Sequence, residues 1–366
     1  MRRSDTLYTR IEPTNDDASA RRSIYFSRTG MQKRISIIIP IYNVASYLNE
    51  CLNSVYHGYD AATMEIILVN DGSTDDSLAI CKRYKQRYPD TILIDTPNGG
   101  LSAARNKGVE AASGRYIYFL DGDDWTSEDA LQQLYDFAEK YRCEVVQGGF
   151  YYAYDTHLLY DTRLKKIKPA PILLTREEAM KLLVRNEEIK NFAWGKLYRA
   201  EIVKQFPFKE GVCFEDAFWQ HLIIDKSVRY GIIPEPLYYY RQRSTGISSA
   251  FSLRNADLLK GYEERIAFII AHYPVFLDEL MAKYWHITYS FYRSSLSHPE
   301  DAVRKCYLDY WTYANDVYGD DFKKALRHSL TYRLVGHHSP WLSPYLFLKR
   351  VRNRFRISPF QKIPIR

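Results

Sequence analysis

The stretch that decides the fold is "YIYFLDGDDW" (residues 116–125), in which a short aromatic and apolar run ends in three carboxylates. Its first five side chains favour a buried β-strand. Asp121, Asp123 and Asp124 follow at once, although their charges repel one another. Such crowding is tolerated where a positive group lies among the carboxylates, so this strand end is a candidate cation site.

Strand and helix patterns alternate around this stretch. The predicted strands occupy 35–43, 64–71, 91–96 and 115–121, and the predicted helices between them occupy 45–58, 73–89 and 101–114. Ser73 and Asp76 are spaced as a capping pair for the second helix. The alternation predicts an α/β fold with a mainly parallel, doubly wound sheet, in which ligands bind at the carboxyl ends of strands. We therefore expect Asp71 and Asp121 to face one crevice.

The pattern changes after a predicted helix at 127–141. Strand-like segments follow, then a helix that begins with Thr175 and Glu178 spaced as a capping box. From about Asn255 onward, long helical patterns dominate. We divide the chain into a flexible N-terminal extension, an α/β domain, a C-terminal α-helical region and a basic aromatic tail, at 1–33, 34–252, 253–340 and 341–366.

The charge of the chain is concentrated at one end. Residues 349–366 contain seven Lys or Arg and no acid, so without them the formal charge of +7 falls to zero. Nucleic-acid-binding proteins usually spread positive charge over a folded face, so we expect no nucleic-acid partner. A basic aromatic terminus is typical of a segment on an anionic membrane. A solvated tail has the same composition, and both interpretations stay open.

The remaining composition is that of an ordinary globular protein, with 46% hydrophobic and 26% charged residues. No apolar run is long enough to span a membrane, and the first residues lack the apolar core of a secretion signal. We expect a cytoplasmic protein, with peripheral contact at the inner face of the cell membrane if the tail docks there.

The acidic cluster itself predicts a metal site. Mg²⁺ and Mn²⁺ prefer oxygen ligands, commonly one or two carboxylates completed by water and phosphate. Asp121 and Asp123 provide half of such a site, and the missing side chain of Gly122 would let a diphosphate approach the backbone. The alternative is that Asp123 and Asp124 cap a helix that begins near Ser127.

A second candidate binding element is "NGGLSAARNKG" (98–108). The backbone N–H groups of Gly99 and Gly100, at the start of a predicted helix, can receive an anion. Arg105 lies about one turn further along. The alternative is a simple turn followed by a solvated arginine.

These motifs together resemble family-2 glycosyltransferases of the GT-A fold. The residues that carry the resemblance are "ISIIIPIYNVASYLNECLNSV" (35–55), "EIILVNDGSTDDSL" (65–78) and "NGGLSAARNKGVEAASGRYIYFLDGDDW" (98–125). The match is dense over 34–126. It continues more thinly through 194–203, 210–219 and 238–248, which look like the bacterial polysaccharide-building branch of that family.

The resemblance implies an activity. It is transfer of a sugar, with inversion, from a nucleotide-diphosphate donor to a hydroxyl of a glycan or lipid-carrier-linked acceptor, with a UDP-sugar favoured as donor. Capsule, exopolysaccharide and O-antigen synthesis are the processes implied.

The resemblance also assigns roles to the strand ends that bind the nucleotide. Pro40, Tyr42 and Asn43 would lie beside the nucleobase, and Asp71 would hold it. Asn70 stands where an Asp is often found, at a position that varies in the family.

The remaining donor-binding roles fall to the acidic loop, which is residues 121–124, and to the predicted helix at 101–114. Asp121 would lie near the ribose or the metal, and Asp123 would be the main protein ligand of a Mn²⁺ or Mg²⁺ ion. Gly100 belongs to the pyrophosphate region. Arg105 would support that region or brace the acidic loop.

Transfer to a hydroxyl also requires a proton acceptor. In the family the base lies in an acidic pair after the metal motif, which "FEDAFW" (214–219) matches, so Asp216 would be the base and Glu215 its neighbour. The alternative is that both acids favour the dipole at a helix start. Arg241 and Arg243 are within reach of a diphosphate or are surface residues.

Other classes of protein explain the sequence less well. A dehydrogenase would have a G-x-G-x-x-G turn after its first strand, and a nucleotidyltransferase would have a Gly-rich, Arg-containing loop there; "PIYNVASY" (40–47) is neither. A catalytically inactive sugar-nucleotide or glycan-binding protein of the same fold remains as the alternative function.

Overall fold

A computed structural model describes residues 33–161, 170–243, 251–336 and 360–364. Its strands are β1 Ile35–Ile41, β2 Met64–Asp71, β3 Ile92–Thr96, β4 Tyr116–Phe119, β5 Trp125–Thr126, β6 Val145–Tyr154, β7 His157–Asp161, β8 Ile172–Thr175, β9 Lys196–Arg199, β10 Arg229–Arg241 and β11 Phe360–Pro364. Its α-helices are α1 Ala45–Tyr56, α2 Ser77–Arg87, α3 Leu101–Ala111, α4 Ala130–Tyr141, α5 Arg176–Arg185, α6 Ala200–Val203, α7 Glu215–Lys226, α8 Ala256–His272, α9 Leu277–Ser295, α10 Asp301–Leu326 and α11 Leu330–Gly336.

Strand β1 is the centre of the parallel half of the sheet. It pairs with β2 on one side and β4 on the other, and β3 lies outside β2. Every residue of β1 is buried because helices cover both faces, which is why its sequence is a continuous β-branched run. The chain changes its winding direction between β1 and β4, so the ends of β1, β2 and β4 form one crevice. The predicted α/β fold is confirmed.

The other half of the sheet is mixed, and this is why the βα alternation stops in the sequence. Strand β9 runs antiparallel between β4 and β6, whereas β10 is parallel to β6. The far end of β10 also pairs antiparallel with the short strand β5, with Tyr239 opposite Trp125. This pairing brings the end of β10 alongside the acidic loop.

The C-terminal helices share an apolar core with the sheet. One cluster of buried side chains extends from Ile38 in β1 to Trp285 in α9 and Phe322 in α10. Helix α8 packs closely on α7, where a Cβ on Gly261 would lie 2.8 Å from the Cβ of Ala217. The helical region therefore supports α7 directly.

Two helix starts test the predicted caps. The capping box of α5 is confirmed, since Thr175 N donates to Glu178 Oε2 at 2.8 Å and Glu178 N donates to Thr175 Oγ1 at 3.3 Å. The prediction that Ser73 and Asp76 form a capping pair is wrong. Helix α2 begins at Ser77, and the carboxylate that receives the Ser77 N–H, at 2.9 Å, belongs to Asp75.

The two ends of the chain are described only in part. The predicted N-terminal extension (1–33), apart from residue 33, lies outside the described residues, as does most of the basic tail (341–366). Residues 360–364 form β11, antiparallel to β7, with Ile363 opposite Leu158. These five residues are therefore part of the sheet, and contact of the tail with a membrane stays a prediction. None of the helices in the described ranges has the length and apolar character to cross a bilayer.

The contact between α3 and β1 gives a stability prediction. A Cβ on Gly108 would lie 2.3 Å from Ile38 Cγ2. Alanine is favoured over glycine in a helix by about 1 kcal/mol, but overpacking costs roughly 1–3 kcal/mol, and Ile38 is stiff. We expect Gly108→Ala to lower the free energy of unfolding by up to about 2 kcal/mol, measured by urea denaturation.

Gly319 in α10 is the matched control, because a Cβ there would meet nothing within 4 Å. We expect Gly319→Ala to stabilise the protein by up to about 1 kcal/mol. An equal stabilisation by Gly108→Ala would contradict the close packing of α3 on β1.

Candidate active site

The acidic loop after β4 is held in place mainly by its last carboxylate. Asp124 is buried and accepts a hydrogen bond from Tyr238 Oη at 2.6 Å and one from Arg241 N at 2.8 Å. Burial and the neighbouring charges of Asp123 and Asp121 raise its pKa. Helix α4 begins at Ala130, so neither Asp123 nor Asp124 caps it, and that alternative is wrong.

The two carboxylates predicted to bind metal remain partly accessible. The side chains of Asp121 and Asp123 are 22% and 16% exposed. Asp121 Oδ1 lies 2.8 Å from Arg105 Nη2, and Asp123 Oδ2 lies 2.6 Å from Arg243 Nη2. Burial raises the pKa of Asp123, the charge of Arg243 opposes this, and Asp121 adds to it.

These residues fit a hard divalent cation. They offer carboxylate oxygens at a strand end, and a guanidinium on Asp123 already supplies positive charge there. Within the described ranges, no group of three or more His, Cys, Asp or Glu side chains is arranged to hold a metal. An ion here would take its other ligands from water and phosphate, as Mg²⁺ and Mn²⁺ usually do.

Gly122 has a different role from the predicted one. A Cβ at this position would lie 3.0 Å from the carbonyl oxygen of Pro40 and 3.2 Å from Val44. The expectation that the missing side chain opens the backbone to a diphosphate is therefore wrong, since that side of Gly122 faces the end of β1. The glycine allows the acidic loop to pack against the first strand.

Arg105 joins the acidic loop to the start of α7. It is buried, with Nη2 on Asp121 and Nη1 on both Glu215 and Asp216, the latter at 3.3 Å. Burial alone would lower its pKa, but the three carboxylates reverse this and raise it. Of the two predicted roles, bracing the acidic loop is the one that these contacts match.

Asp216 lies in the first turn of α7, as the dipole interpretation also requires. Its side chain is 15% exposed. Burial raises its pKa to about 7, Glu215 and Asp121 add to this rise, and Arg105 and Lys196 oppose it. The chain enters the helix through Phe214 in the left-handed conformation, with φ at 58°, which is strained for a phenylalanine.

Lys196 is a buried cation that interacts electrostatically with Asp216 and that was not predicted from the sequence. It is buried at the start of β9, and its Nζ donates to the carbonyl oxygen of Lys190 at 2.8 Å and to that of Phe192. Burial lowers its pKa to about 7, which the charge of Asp216 opposes. The signal was present in "WGKLYR" (194–199), where a lysine interrupts an apolar strand.

The glycine amides at the start of α3 receive an anion from the protein itself. Gly99 N and Gly100 N donate to Asp71 Oδ1 and Oδ2, at 2.8 and 2.9 Å. These amides therefore receive an anion, as predicted, and that anion is the carboxylate of Asp71. Gly100 shapes the turn through its φ of +87°, and the role of Asp71 in holding a nucleobase stays a prediction.

The residues that follow β1 lie at the same edge of the sheet. Asn43 Oδ1 accepts a hydrogen bond from Thr74 N at 2.8 Å, so this side chain connects the ends of β1 and β2. Tyr42 is 50% exposed, and Pro40 is buried within β1. An exposed aromatic ring beside the crevice is what stacking of a nucleobase would require.

The sequence of this chain is similar to that of known proteins. The family model described as "Glycosyl transferase family 2" matches residues 36–206. The uncharacterized glycosyltransferase EpsJ of Bacillus subtilis is 34% identical over 242 residues, covering 64% of this chain and 69% of EpsJ. The minor teichoic acid biosynthesis protein GgaB of the same organism is 31% identical over 260 residues, covering 65% of this chain but 28% of GgaB. This chain therefore spans less than a third of GgaB's length.

The fold has a counterpart among solved structures. Residues 1–349 of S. aureus TarS, in complex with UDP-GlcNAc, superpose with a TM-score of 0.61 at 19% identity. The superposition covers 82% of this chain and 85% of that one. At this identity the likeness concerns the fold alone.

Proposed function

This chain belongs to glycosyl transferase family 2, and we propose that it transfers a hexose from a nucleotide-diphosphate donor to a hydroxyl group. The acceptor in this proposal is a glycan or a lipid-carrier-linked sugar in the synthesis of a bacterial surface polysaccharide. The name of GgaB, which refers to teichoic acid, supports that process. The UDP-GlcNAc bound to TarS supports a UDP-sugar as donor.

The observation that carries the proposal is that Arg105 connects Asp121 to Asp216. Its guanidinium contacts Asp121 at the end of β4 and Asp216 at the start of α7, so both carboxylates lie around one side chain. A donor diphosphate at the first acid would leave its sugar beside the second. In this proposal the base and the leaving group are therefore on opposite sides of the transferred sugar.

The proposed reaction is a single displacement. The acceptor oxygen forms a bond to the anomeric carbon while the bond from that carbon to the diphosphate oxygen breaks, and the configuration inverts. Asp216 takes the acceptor's proton, and the nucleoside diphosphate leaves with the bonding electron pair. A divalent ion, when bound at Asp121 and Asp123, supplies positive charge that stabilises this leaving group.

The proposal is tested by binding of donors. We expect at least one member of a panel of UDP-, GDP- and dTDP-sugars to raise the thermal unfolding temperature in the presence of Mn²⁺ or Mg²⁺, because a ligand that binds only the folded state stabilises it. Asp123→Ala should abolish this protection, and Asp90→Ala, which removes an exposed acid, should leave it intact. If no donor protects the wild-type protein with either ion, the proposal is wrong.

A further inference from the structure

The end of β10 places two arginines on the acidic loop, and the first of them is firmly anchored. Arg241 N donates to Asp124 Oδ1 and Arg241 Nε donates to the carbonyl oxygen of Asp123, both at 2.8 Å. Its Nη2 binds Glu50, and its guanidinium lies 4.5 Å from the centre of the Trp125 ring. These contacts within the protein explain the position of Arg241 without a ligand.

Arg243 is held differently. Within the described ranges, the contacts of its guanidinium are with Asp123 Oδ2, at 2.6 Å, and with the ring of Tyr47, whose centre is 5.4 Å away. Its side chain is 23% exposed. The carboxylate of Asp123 is thus the main partner of Arg243 among the described residues. Asp123 is also the residue predicted to be the main protein ligand of the metal.

A divalent ion and Arg243 would compete for the carboxylate of Asp123. A divalent ion bound to Asp123 would lie about 2.1 Å from a carboxylate oxygen. Because that carboxylate is largely buried and already paired, such an ion would also lie close to the guanidinium of Arg243 and repel it. Without the ion, the same guanidinium satisfies a buried charge that would otherwise be costly.

We propose that Arg243 is the resident counter-ion of Asp123, that a divalent ion displaces it, and that the donor's diphosphate then receives the displaced guanidinium. This inference rests on the proposed function. A metal ion that binds alone must separate Arg243 from Asp123, and the arginine is left without its partner. When the diphosphate is also bound, the ion pairs with Asp123 and Arg243 pairs with the diphosphate. Metal and donor therefore bind with positive coupling, and coupling of binding is reciprocal.

The test is the affinity of the full chain for Mn²⁺, measured by titration calorimetry with and without saturating UDP. We expect Arg243→Gln to bind Mn²⁺ alone about fivefold more tightly than wild type, because the competing cation is gone. The same variant should bind UDP more weakly in the presence of Mn²⁺. The two effects have opposite signs, which general damage to the site would not produce.

Two control variants separate this role from others. Arg83→Gln removes one positive charge from an exposed position on α2 and should change neither affinity. Arg243→Lys keeps the charge and should restore most of the coupling, and it also serves if the glutamine variant folds poorly.

Two results would overturn the inference. If Arg243→Gln leaves Mn²⁺ affinity unchanged or weakens it while wild type binds Mn²⁺ with UDP, the counter-ion role is wrong and the proposed function stands. If wild type binds no Mn²⁺ even with UDP, the metal-dependent function fails and the inference fails with it.

Discussion

Asp216→Asn is expected to abolish sugar transfer while donor binding stays close to that of the wild-type protein. Asparagine has nearly the same shape but cannot accept the acceptor's proton, and general base catalysis typically contributes about 10²–10⁴-fold to a rate. Since Arg105 retains Asp121 and Glu215 as partners, the donor-binding loop should keep its place. The measurements are the rate of transfer and the thermal protection given by the donor.

Asp225→Asn is the matched control, because it makes the same change on the last turn of the same helix. The Asp225 carboxylate accepts a hydrogen bond from Tyr273 Oη, which an asparagine can also accept. Transfer should be unaffected. If Asp216→Asn instead loses donor binding, Asp216 belongs to the donor site and another residue is the base.

The pH dependence of transfer follows from the same residue. Because burial raises the pKa of Asp216 to about 7, this side chain is protonated and inactive as a base at lower pH. We expect kcat/KM of the wild-type protein to rise with pH through about 7, since this parameter reports groups of the free enzyme. A profile that is flat between pH 6 and 8 would argue against Asp216 as the base.

Arg105→Met is expected to cause the largest loss of stability. The substitution leaves Asp121, Glu215 and Asp216 around a buried space without a cation, and breaking a buried ion pair in this way costs roughly 3–5 kcal/mol. Lysine at this position keeps the charge but not the planar fork, so Arg105→Lys should show an intermediate loss. Urea denaturation measures both.

Arg185→Met is the control at the surface. Arg185 forms a two-pronged ion pair with Glu279, with both bonds at 2.8 Å, but the two side chains are 42% and 36% exposed. Solvent-exposed pairs contribute about 1 kcal/mol or less. A similar loss in both variants would show that burial of Arg105 has no special energetic weight.

The effect of pH distinguishes charge from packing in Arg105→Met. Because Arg105 opposes the rise in the pKa of Asp216, this pKa should be higher still without the guanidinium, so folding favours the protonated form of Asp216. The stability deficit should therefore shrink as the pH falls from 8 toward 5. A deficit that is equal at both pH values would mean that the arginine acts through packing.

The sequence was sufficient for the elements whose cause is local. Continuous β-branched runs such as those of β1 and β2 are typical of parallel strands that helices cover on both faces. The carboxyl ends of such strands lie at the same edge of the sheet. Asp71 and Asp121 could therefore be placed at one edge from pattern alone. The Thr175 and Glu178 box was equally predictable because its partners are three residues apart.

The sequence was insufficient where a side chain chooses among distant partners. Arg105 is 110 residues from Glu215, and no local pattern shows that they touch. The glycine amides of 99–100 were correctly predicted to receive an anion, but which anion depends on how the β2 end approaches α3. The error at Ser73 and Asp76 arose because several neighbouring residues can cap, and Asp75 does so instead.

The apolar cluster shared by the sheet and the C-terminal helices limits how far these two parts can be exchanged between relatives. Grafting the helical part of a relative onto this sheet would require complementary surfaces along the whole seam, such as the pair Gly261 and Ala217, where no added methyl group fits. Functional differences among relatives should therefore be sought in point changes and loops rather than in the exchange of modules.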